Sequence, residues 1–297
     1  MRKINNATNA ANGHGCCCVP LMIILLLAGA SLAQAQPSRF AAAYYNRGNE
    51  RFKKGDMDGA IVDYDAALIS YPRWASAYIM RGSARYHKGD LDGSILDFTQ
   101  AIEINPHMDQ AYYHRGKART DKGDLDGSIN DYSKAIEINP RLSAAYNNRG
   151  NVRRVRGDLD GALADFDKAI WLDSHNAAFY NNRGLVRRAK GDLQGAIADY
   201  DRAIRINPRL ADAYSNQGNT FQDLGDLKGS IVDYDAAITL APSFARAYGN
   251  RGLARLSQGD RAGAEKDFDQ CLKLDPSLIP ALQEQIEKVK RRFPSKQ

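Results

Sequence analysis

Asparagine side chains recur along this chain at multiples of 34 residues. The column consists of Asn46, Asn148, Asn182, Asn216 and Asn250. A carboxamide both donates and accepts hydrogen bonds, so it can pair with the N–H and the C=O groups of a peptide backbone whatever the peptide's side chains. The column therefore predicts binding of an extended peptide. The alternative interpretation is a solvated column without a ligand.

Arginine forms two further columns, four residues apart, and aspartate forms a third. The first arginine column is Arg47, Arg81, Arg115, Arg149, Arg183 and Arg251; the second is Arg51, Arg85, Arg119, Arg153, Arg187 and Arg255; the aspartates are Asp63, Asp97, Asp131, Asp165, Asp199, Asp233 and Asp267. One hypothesis is a track for phosphate or an acidic glycan. Because stacked arginines repel one another without facing acids, we favour structural ion pairs. In one unit both arginines are replaced, by Gln217 and Phe221. Their joint loss is expected if the two arginines act together in packing the helices.

Residue types for catalysis or metal binding are not arranged in any known pattern. The histidines after residue 35 lack metal-ligand spacing, and the chain has no phosphate-binding loop, nucleophile elbow or Cys–His partnership. Gly-Asp-x-Asp-Gly at 89–93 offers too few oxygens for calcium, and helix capping explains its aspartates. The net charge is +6, and the basic residues are spread along the chain without a cluster. This distribution argues against a nucleic-acid-binding protein. The sequence predicts no enzyme, no metal and no cofactor.

Glycine columns with the same 34-residue period predict the elements that carry these side chains. The first column is Gly48, Gly82, Gly116, Gly150, Gly184, Gly218 and Gly252. In the unit 143–176, Gly157-Asp158 separates two helical segments, and the second has Leu159, Leu163, Phe166 and Ile170 on one face. Gly150 lies inside the first segment, where glycine costs about 1 kcal/mol relative to alanine. We infer a close approach of the two helices there.

These patterns resemble the tetratricopeptide repeat. The matching positions of the unit are tyrosine at 4, glycine at 8, a small residue at 20, an aromatic at 24, alanine at 27 and proline at 32. There are also departures from the family pattern. Arginine replaces the family's usual leucine at position 7 and tyrosine at position 11 in six units, and Ser174 replaces one proline. The resemblance implies an all-α, right-handed superhelical solenoid of paired antiparallel helices, in a bacterial Asn-Arg-Gly subtype. It implies seven repeats, at 41–74, 75–108, 109–142, 143–176, 177–210, 211–244 and 245–278. Residues 279–297 are predicted to form a capping helix and tail.

The resemblance also places the asparagine column on the concave surface. The predicted peptide-binding residues are Asn46, Asn49, Asn148, Asn151, Asn182, Asn216, Asn219, Asn250, Arg154, Arg188, Tyr45 and Tyr113. At the predicted groove positions, the first three units have mainly apolar and aromatic residues, whereas Arg154 and Arg188 lie in the middle units. We therefore expect a ligand with an apolar end near the N-terminal units and a polar or acidic part across the centre.

Residues 1–35 have the organisation of a secretory signal peptide. They combine two basic residues, a short apolar run from Val19 to Leu27 and a small-residue exit that ends at Ala35. We expect cleavage after Ala35, a linker at 36–40, a periplasmic or secreted protein and no membrane contact after cleavage. An uncleaved membrane anchor is the alternative. Cleavage leaves Cys271, which replaces a repeated alanine and is predicted to be a buried small residue.

The sequence therefore predicts a non-catalytic scaffold that binds an extended segment of another protein in its concave groove. Two alternatives stay open. One is a structural adaptor, in envelope assembly or secretion, that uses its convex face or its ends. The other is a binder of anionic polysaccharide that uses the arginines. The identity of the partner and the oligomeric state are not predicted.

Overall fold

The computed structural model describes residues 37–292, and the predicted signal peptide lies outside them. The described chain is helical, without a strand between residues 37 and 292. Its helices are α1 Arg39–Lys53, α2 Met57–Ser70, α3 Ala75–His87, α4 Leu91–Ile104, α5 Asp109–Lys122, α6 Leu125–Ile138, α7 Ser143–Val155, α8 Leu159–Leu172, α9 Ala177–Ala189, α10 Leu193–Ile206, α11 Ala211–Asp223, α12 Leu227–Leu240, α13 Ala245–Gln258, α14 Arg261–Leu274 and α15 Ile279–Arg292. Across residues 37–292, every helix is too short or too polar to span a bilayer.

Each odd-numbered helix packs against the even-numbered helix that follows it, which gives seven hairpins between residues 39 and 274. Each even-numbered helix then packs against the next odd-numbered one, so the hairpins stack in chain order into a solenoid. Alanines make this stacking close: Ala111, Ala145 and Ala213 are fully buried where one hairpin meets the next. The predicted all-α solenoid is confirmed.

A Gly-Asp pair recurs every 34 residues, from Gly55-Asp56 to Gly259-Asp260, and forms the turn inside each hairpin. Gly157 has φ of 83°, in the left-handed region where a side chain is strained. Asp158 then caps α8, because its carboxylate accepts a hydrogen bond from the Gly161 N–H at 2.9 Å. The Asp158 carboxylate lies directly against the Gly161 Cα, where a Cβ would collide with it. This contact explains why glycine also recurs, from Gly59 to Gly263, in the first turn of each even-numbered helix.

The mid-helix glycines mark the closest approach inside each hairpin. A Cβ added at Gly150 would lie 3.0 Å from the Phe166 ring, and one at Gly184 would lie 2.7 Å from the Tyr200 ring. The aromatic ring of the even-numbered helix therefore occupies the space of a side chain on the odd-numbered helix. The close approach inferred from the sequence is confirmed.

Helix α15 covers the last hairpin. Its Leu282 is buried in one cluster with Cys271 of α14 and Leu253 of α13. Cys271 is 1% exposed, as predicted for a small residue in a repeated alanine position. Burial raises the pKa of its thiol, which keeps the group neutral.

Candidate ligand-binding groove

The asparagines of the middle hairpins form a continuous hydrogen-bonded row, here named the amide chain. Each link joins two odd-numbered helices through side chains 35 residues apart. The links run from Asn148 Nδ2 to the Tyr113 hydroxyl (3.2 Å), from Asn182 Nδ2 to Asn147 Oδ1 (2.9 Å) and from Asn216 Nδ2 to Asn181 Oδ1 (3.0 Å). Within helices, Asn147 Nδ2 donates to Asn148 Oδ1 and Asn181 Nδ2 donates to Asn182 Oδ1. The amide chain therefore crosses α5, α7, α9 and α11 without a break.

The other predicted asparagines also lie on odd-numbered helices but outside the amide chain. Asn219 Oδ1 accepts hydrogen bonds from the Tyr234 hydroxyl at 2.7 Å and from Asn250 Nδ2 at 2.8 Å. Asn49 Oδ1 accepts one from the Tyr64 hydroxyl at 2.9 Å, and Asn46 is exposed on α1. The structure thus groups the predicted asparagines in three places along the odd-numbered helices. We call this surface of α1, α3, α5, α7, α9, α11 and α13 the groove.

A cavity of about 240 Å³ opens into the groove between α5, α6 and α7. Asn148 and Asn151 line it from α7, Lys117 and Asp121 line it from α5, and Tyr132 lines it from α6. One end of the amide chain therefore lies at the wall of a cavity that has polar and aromatic sides.

A second cavity, of about 270 Å³, lies in the N-terminal part of the groove and has an aromatic lining. Phe52, Met80, Tyr86, Phe98 and His114 are among the residues that line it. The His114 ring stacks on Phe98 with 5.7 Å between centroids. Burial, with the nearby Lys117 and His87, lowers the pKa of His114 to about 4, so the ring is neutral at pH 7. An apolar or aromatic ligand group suits this cavity.

Tyr45 has a different position from the other predicted aromatic residue, Tyr113. Its ring packs on Trp74 with 4.4 Å between centroids and lies 5.9 Å from the Tyr64 ring. Tyr45 is half-buried in the first hairpin, whereas the Tyr113 hydroxyl ends the amide chain. The two tyrosines therefore contribute to different parts of the groove.

The two arginines predicted to bind an acidic ligand differ in their contacts. Arg188 Nε donates to Asp223 Oδ2 at 2.6 Å, and Asp223 is the residue 35 positions further on. The residue 35 positions after Arg154 is Ala189, and Arg154 has no ion pair within residues 37–292. The Arg154 Nε atom is buried without a hydrogen-bond partner. Arg154 therefore has an unused donor, whereas Arg188 is already neutralised.

The constant spacing of arginine and aspartate within the repeats produces ion pairs between helices. In the fourth hairpin, Arg149 Nη2 lies 2.7 Å from Asp165 Oδ1 and Arg153 Nη1 lies 2.9 Å from Asp165 Oδ2. Arg149 Nη1 also donates to Ser133 Oγ of the preceding hairpin, at 2.9 Å. The same arrangement recurs at Asp63, Asp97, Asp131, Asp199 and Asp267. The structural ion pairs favoured from the sequence are confirmed, and we call them the arginine–aspartate column.

Comparisons with known proteins agree with this geometry. Models described as tetratricopeptide repeat match residues 45–109 and 245–278, and a model described as TPR repeat matches residues 116–154, 150–187, 184–225 and 218–259. The chain belongs to the tetratricopeptide-repeat family. Proteins of this family generally act as scaffolds that bind protein or peptide partners.

Solved structures show the same solenoid fold. A tetratricopeptide repeat protein from Parabacteroides merdae superposes with a TM-score of 0.69 at 18% identity, over 84% of this chain and 100% of that one. The pilF protein of Pseudomonas aeruginosa gives 0.62 at 18% identity, over 72% and 97%. MamA is 30% identical over 56% of this chain and 96% of its own, with a TM-score of 0.49. The search of curated proteins gives no match.

Sequence reasoning missed two features of the groove of this tetratricopeptide-repeat protein. The sequence did not predict that Asn147 and Asn181 connect the amide chain between helices. The inequality of Arg154 and Arg188 was also missed. Both features could have been found by comparing residues 35 positions apart, one more than the repeat period. This spacing joins Asn147 to Asn182 and Asn181 to Asn216. It also pairs Arg188 with Asp223, whereas it pairs Arg154 with Ala189.

Proposed function

We propose that this protein is an exported scaffold that binds an extended segment of another protein in the groove. The observation that carries this proposal is the amide chain, which runs across four odd-numbered helices and ends at a cavity. A peptide laid along it would meet the Tyr113 hydroxyl on α5 and then a carboxamide on each of α7, α9 and α11. Export rests on the predicted signal peptide at 1–35.

Counting hydrogen bonds indicates why the amide chain suits a peptide backbone. Asn182 uses one of its two N–H groups on Asn147 and accepts one bond from Asn181. One N–H and one oxygen lone pair are left over, which are the two groups needed to pair with a peptide unit. The internal bonds also hold the carboxamide in place, so little side-chain entropy is lost when the peptide binds.

The preferred side chains of the ligand follow from two parts of the groove, one N-terminal and one central. The aromatic cavity near Phe98 and His114 suits an apolar side chain. Further along, the guanidinium of Arg154 has no ion pair within residues 37–292, which favours a carboxylate because charge-assisted hydrogen bonds are strong. We therefore propose that the acidic part of the ligand binds at the fourth hairpin, and we no longer propose Arg188 for that role.

The test uses peptides selected from a random-sequence display library against the purified protein. Their affinities would be measured by fluorescence anisotropy for wild type and for the Asn148→Ala/Asn182→Ala/Asn216→Ala variant. The Asn130→Ala variant is the matched control, because Asn130 is exposed on the even-numbered helix α6. We expect at least a tenfold loss in the triple variant and no change in the control. Equal affinity in all three proteins would refute groove binding.

A second candidate function is an adaptor that uses the even-numbered helices. Val62 of α2 and Leu96 of α4 hold equivalent positions in consecutive hairpins and are 62% and 66% exposed. Their repetition on the even-numbered helices is the observation that favours an interaction surface there. If a partner protein binds here, Val62→Asp/Leu96→Asp will abolish its binding while the triple asparagine variant keeps it.

Export has its own test. Mass spectrometry of the protein recovered from the cells that produce it would identify its N-terminus. Cleavage after Ala35 gives Gln36 as the first residue, and the uncut leader would instead support the membrane-anchored alternative.

A further inference from the structure

The sixth hairpin, α11–α12, lacks the arginine–aspartate pairs of the other six. Gln217 and Phe221 replace the two arginines, and Gln217 Nε2 donates to Asp201 Oδ1 of the preceding hairpin at 2.7 Å. Asp233 keeps the acidic position but has no ion pair within residues 37–292. Its Oδ2 atom is buried and has no hydrogen-bond partner. The other six hairpins all give this carboxylate two guanidinium partners.

The charged groups around Asp233 do not compensate for the missing arginines. Asp201 faces it from α10, and Asp226 caps the start of its own helix. From α13, Arg251 is already bound to Asp235 of α12 and to Asp267 of α14, each at 2.5 Å. Gln217 and Phe221, on α11, are neutral. Burial, and then the negative charges of Asp201 and Asp226, raise the pKa of Asp233 to about 7.

We propose that the sixth hairpin is a proton-controlled joint of the solenoid, in which ionisation of the unpaired Asp233 carboxylate favours local separation of α11 from α12. With Asp233 protonated, the hairpin needs no arginines. With Asp233 ionised, a half-buried charge has no partner among the described residues, and exposing it fully to water relieves the cost. Local opening of one unit is natural in a solenoid, because each hairpin packs only against its neighbours.

The direction of the pH effect follows from proton binding. Asp233 has a higher pKa in the closed hairpin than the ordinary value of 3.8 that it takes in the open one. The closed hairpin therefore binds more protons between these pKa values, so its stability is fully present below pH 3.8 and is lost as the pH rises through about 7. Between pH 5.5 and pH 8 the equilibrium constant for opening should rise roughly thirtyfold.

A consequence for the groove rests on the proposed function, whereas the joint itself does not. Tyr234 follows Asp233 on α12, and its hydroxyl donates to Asn219 Oδ1 of the groove at 2.7 Å. The same oxygen accepts from Asn250 Nδ2 of the next hairpin at 2.8 Å. Opening of α11 from α12 would break this contact, so the groove near the seventh hairpin would be disturbed at alkaline pH.

The experiment is amide hydrogen exchange of the purified protein, followed by mass spectrometry at pH 5.5 and pH 8 and corrected for intrinsic exchange rates. Peptides from α9–α10 serve as the internal reference, because Asp199 in that hairpin has both arginines. We expect protection in α11–α12 to fall roughly thirtyfold more than in the reference as the pH rises. Equal changes in the two hairpins would overturn the proposal.

Two variants separate ionisation of Asp233 from other effects of pH. Asp233→Asn removes the titrating group, and Gln217→Arg/Phe221→Arg restores the pair found in the other hairpins. Both should abolish the excess pH dependence, and the second keeps the test decisive if the first folds poorly. A pH dependence that persists in the arginine variant would show that Asp233 is not its source.

Discussion

Two polar columns of this protein have the same period but different states of hydrogen bonding. In the arginine–aspartate column, Asp165 is 4% exposed at its side chain and both its oxygens contact guanidinium groups. In the amide chain, Asn182 is only half-buried and keeps one donor and one acceptor unused. Periodicity alone does not distinguish the two columns. The hydrogen-bonding groups that remain unused in the amide chain do distinguish them, and they are the basis of the proposed binding role.

The largest predicted effect is on stability, in the arginine–aspartate column. Asp165→Ala leaves the partly buried guanidinium groups of Arg149 and Arg153 without their shared carboxylate. The free energy of unfolding should fall by about 3 kcal/mol, the range measured when one partner of a buried ion pair is removed. Urea denaturation followed by circular dichroism measures this change. A loss below about 1 kcal/mol would mean that this column contributes no more than a surface ion pair does.

A smaller effect, on binding alone, distinguishes the two groove arginines. Arg154→Gln should weaken a selected acidic peptide about tenfold, because one charge-assisted hydrogen bond contributes about 1.5 kcal/mol. Arg188→Gln is the matched control and should change the affinity less than threefold, since Arg188 is already bound to Asp223. Equal losses in the two variants would show that the Asp223 contact does not occupy Arg188.

A third predicted effect, on the pH dependence of stability, concerns His114 in the aromatic cavity. The folded-state pKa of His114 is lowered to about 4 from 6.5. Its contribution to stability is therefore present above pH 6.5 and is lost as the pH falls through about 4, the opposite direction from Asp233. His114→Gln should flatten the acid side of the pH–stability curve. An unchanged curve, measured by thermal unfolding from pH 4 to 7, would show that His114 is not the titrating group.

Much of the fold could be predicted from the sequence because each hairpin repeats one set of local contacts. The unit 143–176 indicated both helices, the cap at Asp158 and the close approach at Gly150. The arginine–aspartate pairs were also predictable, since both partners lie in one unit. All of these contacts depend on short sequence separations, which the repeat displays directly.

Contacts between hairpins were harder to predict because they depend on how the units rotate against one another. Asn182 meets Asn147 of the preceding hairpin instead of its repeat equivalent Asn148. That one-residue offset follows from the stacking geometry, which no single unit contains. The unequal contacts of Arg154 and Arg188 have the same origin.

The most direct test of these distinct roles measures affinity and stability on one variant, Asn182→Ala. We predict that the affinity for a selected peptide falls at least tenfold, while the free energy of unfolding falls by about 1 kcal/mol, as expected for the loss of neutral hydrogen bonds. Unchanged peptide affinity, together with a loss of stability as large as that of Asp165→Ala, would contradict the account. The asparagines would then be a second structural column.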